Sequence, residues 1–243
     1  MIKEPRIGVL DIETAPMRAY VWGLKDQNLT PAQIERDWSI IAFTFKWLGG
    51  KDVVYVDLRD KTDITDDRDL LELLWILLDK ADIIITQNGK KFDSRRINAR
   101  FIMHGIKPPS PYKHLDTYLI AKNAGDFSSN KLEYLTDKLC TKYKKLSHSK
   151  YPGWSLWLAC MNGDIKAWNE MKRYNIRDVL ATEELYMKLR AWAPQNAPSV
   201  TWMDGCKRCG EAKLTGNGIR GQMQRRRCLN CGAANDIRLK GKS

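Results

Sequence analysis

The sequence predicts an α/β fold, a mixed sheet flanked by helices, followed by a small cysteine-bearing module. Three observations predict it. Short apolar runs bounded by turn residues crowd the first part of the chain, helical patterns dominate the part after Phe92, and two CxxC pairs follow a proline-rich stretch near the end. A helical pattern between the third and fourth apolar runs supplies the crossover that lets strands on either side lie parallel.

RIGVLDI, residues 6–12, is a short apolar run suited to a central strand. SIIAFTFKWL (39–48) and DVVYVDL (52–58) read as the second and third strands. DDRDLLELLWILLDKA, from Asp66, opens with acids that favour a helix N-terminus and continues with enough apolar residues to pack on a sheet. IIIT (83–86) is the fourth strand, closed by the turn residues of QNG. A basic amphipathic helix runs from Phe92 to about His104, ended by Gly105 and the breakers of KPPSP. HLDTYLIAKNA, NKLEYLTDKLC and the region from about Asp164 to Trp192 read as helices. APQNAPS (193–199) is proline-rich and uncharged, as linkers are. The expected division is residues 1–192, a linker at 193–200, and a module at 201–243.

The chain has 243 residues, enough to bury a full core with an appendage. Its 41 Lys+Arg against 29 Asp+Glu leave a formal charge of +12, which suits a polyanionic partner. MIKEPRIGVLDIET carries no secretion-signal pattern, and LLELLWILL, interrupted by Glu72, is too short and too charged at its flanks to span a bilayer. The sequence therefore predicts a cytoplasmic protein without membrane association. In a reducing compartment the paired cysteines point to metal rather than disulfides.

Four acids carry the chemistry. Asp11 and Glu13 in VLDIET are two apart on a strand and project from one face, where they repel unless a cation neutralises them. A hard divalent ion such as Mg²⁺ or Mn²⁺ is the natural counter-charge, although a DxE alone also describes a solvated strand end. Asp93 in NGKKFD falls near a strand–helix junction, where an acid also serves a helix N-terminus; Asn88 there is equally a turn residue, and Lys90 and Lys91 a solvated loop. Tyr174 and Asp178 in YNIRD are one helical turn apart and share a face, with a structural tyrosine as the alternative.

Taken in order, DIET, NGKKFD and YNIRD resemble the motifs of the DEDD superfamily of ribonuclease H-like 3′-to-5′ exonucleases, which includes polymerase proofreading domains. The resemblance covers about residues 5–190. It implies a ribonuclease H-like fold, and Asp11, Glu13, Asp93 and Asp178 as ligands of two Mg²⁺ or Mn²⁺ ions, with Asp11 bridging. A histidine form of the last motif would place histidine where Arg173 stands, so Tyr174 resembles the tyrosine branch, its phenol orienting the attacking water. DIETAP with YVWGL and FKWLGG is also similar to stand-alone phage exonucleases, for which the compartment is the bacterial host cytosol.

Expected nucleic-acid contacts are Thr14, Tyr20 and Trp22 after the first motif, and Asn88, Lys90, Lys91 and Phe92 around the second. Trp22 alone is equally a core residue. Lys142, Lys144, Lys145 and Lys150, with His148, form a basic stretch that either tracks phosphates or is simply solvated. Asp116 reads as a helix cap.

Cys206, Cys209, Cys228 and Cys231 form C-x2-C-x18-C-x2-C, the spacing of one structural Zn²⁺ with no open position. RGQMQRRRCLNCG resembles transposase-type zinc ribbons, which implies phosphate contact by Arg225, Arg226 and Arg227; a purely stabilising ribbon is the alternative. The leading expectation is a two-metal 3′-to-5′ exonuclease that acts on DNA in preference to RNA, on single-stranded or frayed 3′ ends. An RNA-directed or structure-selective nuclease, or an inactive nucleic-acid-binding adaptor, are the other readings.

Overall fold

The computed structural model describes residues 4–146 and 150–239; His148 of the basic stretch lies outside them. Strands β1 (Ile7–Thr14), β4 (Ile40–Trp47), β5 (Val53–Asp57), β6 (Ile83–Thr86) and β7 (Lys113–Asp116) form one sheet in the order β5-β4-β1-β6-β7. The β1–β4 and β4–β5 pairs are antiparallel, and β1–β6 and β6–β7 are parallel. The crossover expected from the sequence is α1 (Arg68–Lys80), which carries the chain from β5 to β6. A short hairpin, β2 (Arg18–Ala19) with β3 (Ile34–Arg36), forms an arm between β1 and β4.

β1 lies at the centre of the sheet, and its alternation separates two cores. Leu10 and Ile12 face a cluster with Phe43, Leu74 from α1, and Ile97 and Phe101 from α2 (Asp93–Met103). Ile7 and Val9 face the other cluster, with Ile120 from α3 (Thr117–Ala124) and Leu135 from α4 (Leu132–Leu139). Gly8 is required by close approach, because a Cβ there would stand 2.3 Å from the Phe45 ring.

The longest helix, α6 (Ile165–Leu189), joins both clusters. Its early turns bury Ala167, Trp168 and Met171 in the first, and its later turns bury Val179, Leu185 and Leu189 in the second. Twenty-five residues make a helix of about 37 Å, long enough to cross the sheet. Asp164 caps it by accepting from the N–H groups of Lys166 and Ala167.

Two elements differ from the sequence-based expectation. The first three residues of HLDTYLIAKNA are strand rather than helix, because His114–Asp116 pair in parallel with Ile84–Thr86. The residues after the basic stretch form a further short helix, α5 (Ser155–Met161), packed on α6. Both choices are tertiary: a four-residue strand carries too little period to outweigh the helical run behind it.

Beyond α6, β8 (Leu214–Arg220), β9 (Met223–Cys228) and β10 (Ile237–Arg238) form a separate sheet in the order β10-β9-β8. The proline-rich segment before it is pinned. The buried Arg208 guanidinium donates to the carbonyls of Pro194, Ala197 and Pro198 at 2.6, 3.1 and 3.2 Å.

Candidate active site

The face of β1 that carries Ile7 and Val9 continues, two and four residues on, with Asp11 and Glu13, so the strand passes from core to carboxylates without changing face. At this end α6 crosses, presenting Tyr174, Asn175 and Asp178 from its buried side. Asp93 arrives from the start of α2, and its Oδ1 accepts the Ile12 N–H at 3.2 Å. Ile12 lies beyond the last residue of β1 that pairs with β6, Val9, so the carboxylate takes over where the ladder ends. The tight turn before α2 depends on Gly89: a Cβ there would stand 2.4 Å from Thr86 Oγ1 and 2.8 Å from Asp93 Oδ2.

Burial and mutual repulsion act on these acids together. Burial raises the Asp11 carboxyl well above the usual range, and the Glu13, Asp93 and Asp178 charges add to it. Glu13 is pushed up to about 8 by burial and by Asp178, against the pull of Trp157 and Lys145. Asp93 rises to about 7 through burial, offset in part by the Ile12 N–H. Such a cluster holds protons near neutrality or takes up cations, and its donors are carboxylate oxygens, which suit Mg²⁺ or Mn²⁺. No three of these carboxylates close within 4.8 Å of one another, a spacing that only the four cysteines meet among the described residues.

A family model described as the RNase_H superfamily matches residues 33–190, more than half of the chain. The chain belongs to the RNase_H superfamily. The matched span begins after β1, so it takes in Asp93, Tyr174 and Asp178 but not Asp11 or Glu13. Among solved structures, the chain is similar to the family B DNA polymerase from the hyperthermophilic archaeon Pyrobaculum calidifontis, with a TM-score of 0.51 and 14% identity. That match covers 78% of this chain and 26% of the polymerase, and at this identity it speaks for the fold. No curated protein matches the chain.

Within this RNase_H domain, neighbours absent from the sequence-based expectation hold the acids. Asn175 Nδ2 donates to Asp11 Oδ2 at 2.5 Å, while its Oδ1 accepts from Thr44 Oγ1 at 2.5 Å. Trp157 of α5 donates its indole N–H to Glu13 Oε2 at 3.0 Å and meets the Tyr174 ring edge-on at 6.1 Å. Lys145 is the cation of the site: Nζ lies 2.5 Å from Asp178 Oδ2 and 4.5 Å from the Tyr174 ring centroid. Its loop is held by Glu184 of α6, whose carboxylate accepts from the backbone N–H groups of Thr141, Lys142 and Tyr143. Asn175 was legible in principle, being three residues before Asp178 and so on its face. Lys145 was visible only as one of several lysines, and Trp157 carried no signal.

The expected nucleic-acid contacts separate. Thr14 and Phe92 line a cleft of about 420 Å³ that opens on Glu13, together with Trp38, Arg96 and Trp157. Tyr20 and Trp22 stand on the arm instead, and Trp22 is fully exposed, so it is not a core residue. Asn88 adopts φ +63 and donates its N–H to Asp116, which also caps α3 through the Tyr118 N–H. Lys91 is exposed, and Lys90 borders a groove formed with His114 and Pro194 rather than the acid-lined cleft.

The four cysteine Sγ atoms lie within 4.8 Å of one another, with Cys206–Cys231 and Cys209–Cys228 each at 3.6 Å. Tetrahedral Zn–S bonds imply edges of about 3.8 Å, so the donor set fits zinc. Gly210 (φ +77) and Gly232 (φ +74) follow the two knuckles in the left-handed turns they require. The N–H of Arg208 and the Asn235 amide reach Cys206 Sγ and, against burial, draw that thiol down to about 7. Arg225, Arg226 and Arg227 all lie on β9, where Arg226 donates to the Asn235 carbonyl and Arg227 to that of Gly232.

Proposed function

We propose that the chain is a two-metal-ion 3′-to-5′ exonuclease of the tyrosine-type DEDD group, acting on DNA at single-stranded or frayed 3′ ends, with a zinc-held ribbon that aids binding. The observation that carries this reading is the convergence of Asp11, Glu13, Asp93 and Asp178, with Tyr174, at one end of the central strand. Spread as they are, the carboxylates suit two ions that share ligands better than one closed cage. Bound there, Mg²⁺ or Mn²⁺ supplies Lewis acidity for phosphodiester hydrolysis.

The remaining work falls to the chain's own groups. Burial and the Asp178 charge raise the Tyr174 phenol above its ordinary value, so at neutral pH it keeps its proton and orients water rather than accepting a proton from it. Asn175 fixes Asp11, Trp157 fixes Glu13, and the Lys145 ammonium limits the charge that accumulates beside Asp178. The basic balance of the chain, +12 in all and concentrated in the tail, suits a polyanion drawn toward an acidic centre.

The test uses end-labelled single-stranded DNA, duplex DNA and RNA with Mg²⁺ or Mn²⁺, beside Asp11→Asn. The expected result is a ladder that shortens from the 3′ end of DNA and disappears in the variant. Internal cuts favour a structure-selective endonuclease, faster loss of RNA favours an RNA-directed enzyme, and binding without cleavage in every condition favours an adaptor. Comparable activity in Asp11→Asn refutes the assignment of the site.

A further inference from the structure

The cleft that opens on Glu13 holds one cation, Arg96, in an unusual setting. Its Cζ lies 4.7 Å from the Trp38 ring centroid and 4.5 Å from that of Phe92. Cation–π contact engages the faces of a guanidinium and leaves its N–H edge for in-plane acceptors. Among the described residues, no acceptor lies within hydrogen-bonding distance of that edge. Arg95, its neighbour on α2, is exposed and does not line the cleft.

The platform beneath Arg96 is rigid. Arg100, one turn further along α2, forms a buried pair with Asp67 at 2.6 Å and donates to the Trp38 carbonyl at 3.4 Å. Asp67 in turn accepts the Ile40 N–H at 2.8 Å, so the strand following Trp38 is tied to the same pair. Phe92 is held at the start of α2 by its N–H to the Asn88 carbonyl. A long side chain that would otherwise lose rotamer freedom on binding is therefore already ordered.

We infer that Arg96 is the phosphate-reading residue of this cleft, gripping two oxygens of the nucleic-acid backbone beside the bond that is cut. The inference rests on the nuclease reading and deepens it. A guanidinium edge matches a pair of phosphate oxygens, which a lysine ammonium cannot reproduce. The contact also sets a positive charge in the cleft that Glu13 lines, near enough to Asp93 to lower its carboxyl, where an incoming polyanion meets repulsion from the acids. Because it reads backbone rather than base, it is blind to sequence.

The probe is fluorescein-labelled single-stranded DNA, as oligo(dT) and as a guanine-rich strand. Anisotropy is followed over a potassium chloride series with the full chain carrying Asp11→Asn so that no strand is cut. Arg96→Gln and Arg96→Lys should each weaken binding about tenfold, equally for both strands, but only Arg96→Gln, which removes the charge, should lower the salt slope, by about 0.7. Arg95→Gln, which removes the same charge from the exposed side of the helix, should change affinity by less than about twofold. Wild-type affinity in Arg96→Lys, an equal loss in Arg95→Gln, or a loss confined to the guanine-rich strand each overturns the inference. The two readings fail separately: a chain that binds neither strand removes the nuclease proposal as well, whereas tight binding insensitive to Arg96 removes only this one.

Discussion

The acid cluster and the cysteine cluster solve one electrostatic problem in opposite ways. Each gathers four groups that can take up a cation as anions, yet the cysteines come from two knuckles within 26 residues while the acids come from β1, α2 and α6. The thiols close to within 4.8 Å, a donor set that leaves no room for a further ligand. The carboxylates stay further apart, beside a cleft, and are steadied by Asn175, Trp157 and Lys145. A structural site can be specified by spacing, because its only task is to be filled. A catalytic one must stay open on one side, so neighbouring side chains have to hold what a closed cage would hold by itself.

The largest expected effect breaks the comparison at the acids. Asp11→Asn should lower hydrolysis on the order of a thousandfold while leaving bound zinc at one per chain, because the isosteric amide still accepts from Asn175. Retained turnover, read from end-labelled substrate, would place the chemistry elsewhere.

The converse change is Cys206→Ser. Structural zinc is worth roughly 10–16 kcal/mol, far more than a module of this size supplies unaided, so the ribbon should unfold and become trypsin-sensitive along β9. Hydrolysis of short oligonucleotides should survive, with zinc content measured on the same sample. If both functions fall together, the ribbon is part of the active domain rather than a separate fold.

A smaller effect tests the support around the acids. Asn175→Ala leaves Asp11 and Thr44 without their shared partner and should reduce Mn²⁺ affinity or turnover about 10- to 100-fold, visible as a higher metal concentration for half-maximal activity. An unchanged metal titration would reduce Asn175 to packing.

The smallest effect is on stability. Asp11, Glu13 and Asp93 titrate higher in the folded chain than in the unfolded one, where carboxylates ionise near pH 4. Between there and about pH 8 the folded state binds more protons, so without Mg²⁺ or Mn²⁺ its stability declines as pH rises and is fully present only below that window. Added Mn²⁺ should reverse the trend, since it binds the ionised acids. Melting temperatures after dialysis, rather than with a chelator that would strip zinc, are the measurement. A flat or rising profile would mean that the acids are less strained than their burial implies.

Much of this was legible in the chain. The central strand, the crossover helix, the basic helix after NGKKFD and the long final helix follow from apolar period and turn residues, which are local. β7 was not, because His114–Asp116 become a strand only by pairing with Ile84–Thr86, and the helical run behind them dominates any local reading. Trp22 shows the same limit from the other side: nothing local distinguishes a buried tryptophan from one left fully in solvent on an arm.

By itself the sequence determined the identity of the carboxylates and of the tyrosine, the four-thiol spacing and the basic balance, because these are properties of residue type and short-range order. Tertiary structure decided which of several lysines is the site's cation, that an asparagine and a tryptophan steady two of the acids, and that an arginine in the cleft lies against two rings. Those contacts join residues up to 164 positions apart, and only the crossing of α6 over the end of β1, with the loop and helix packed beside it, brings them within hydrogen-bonding reach.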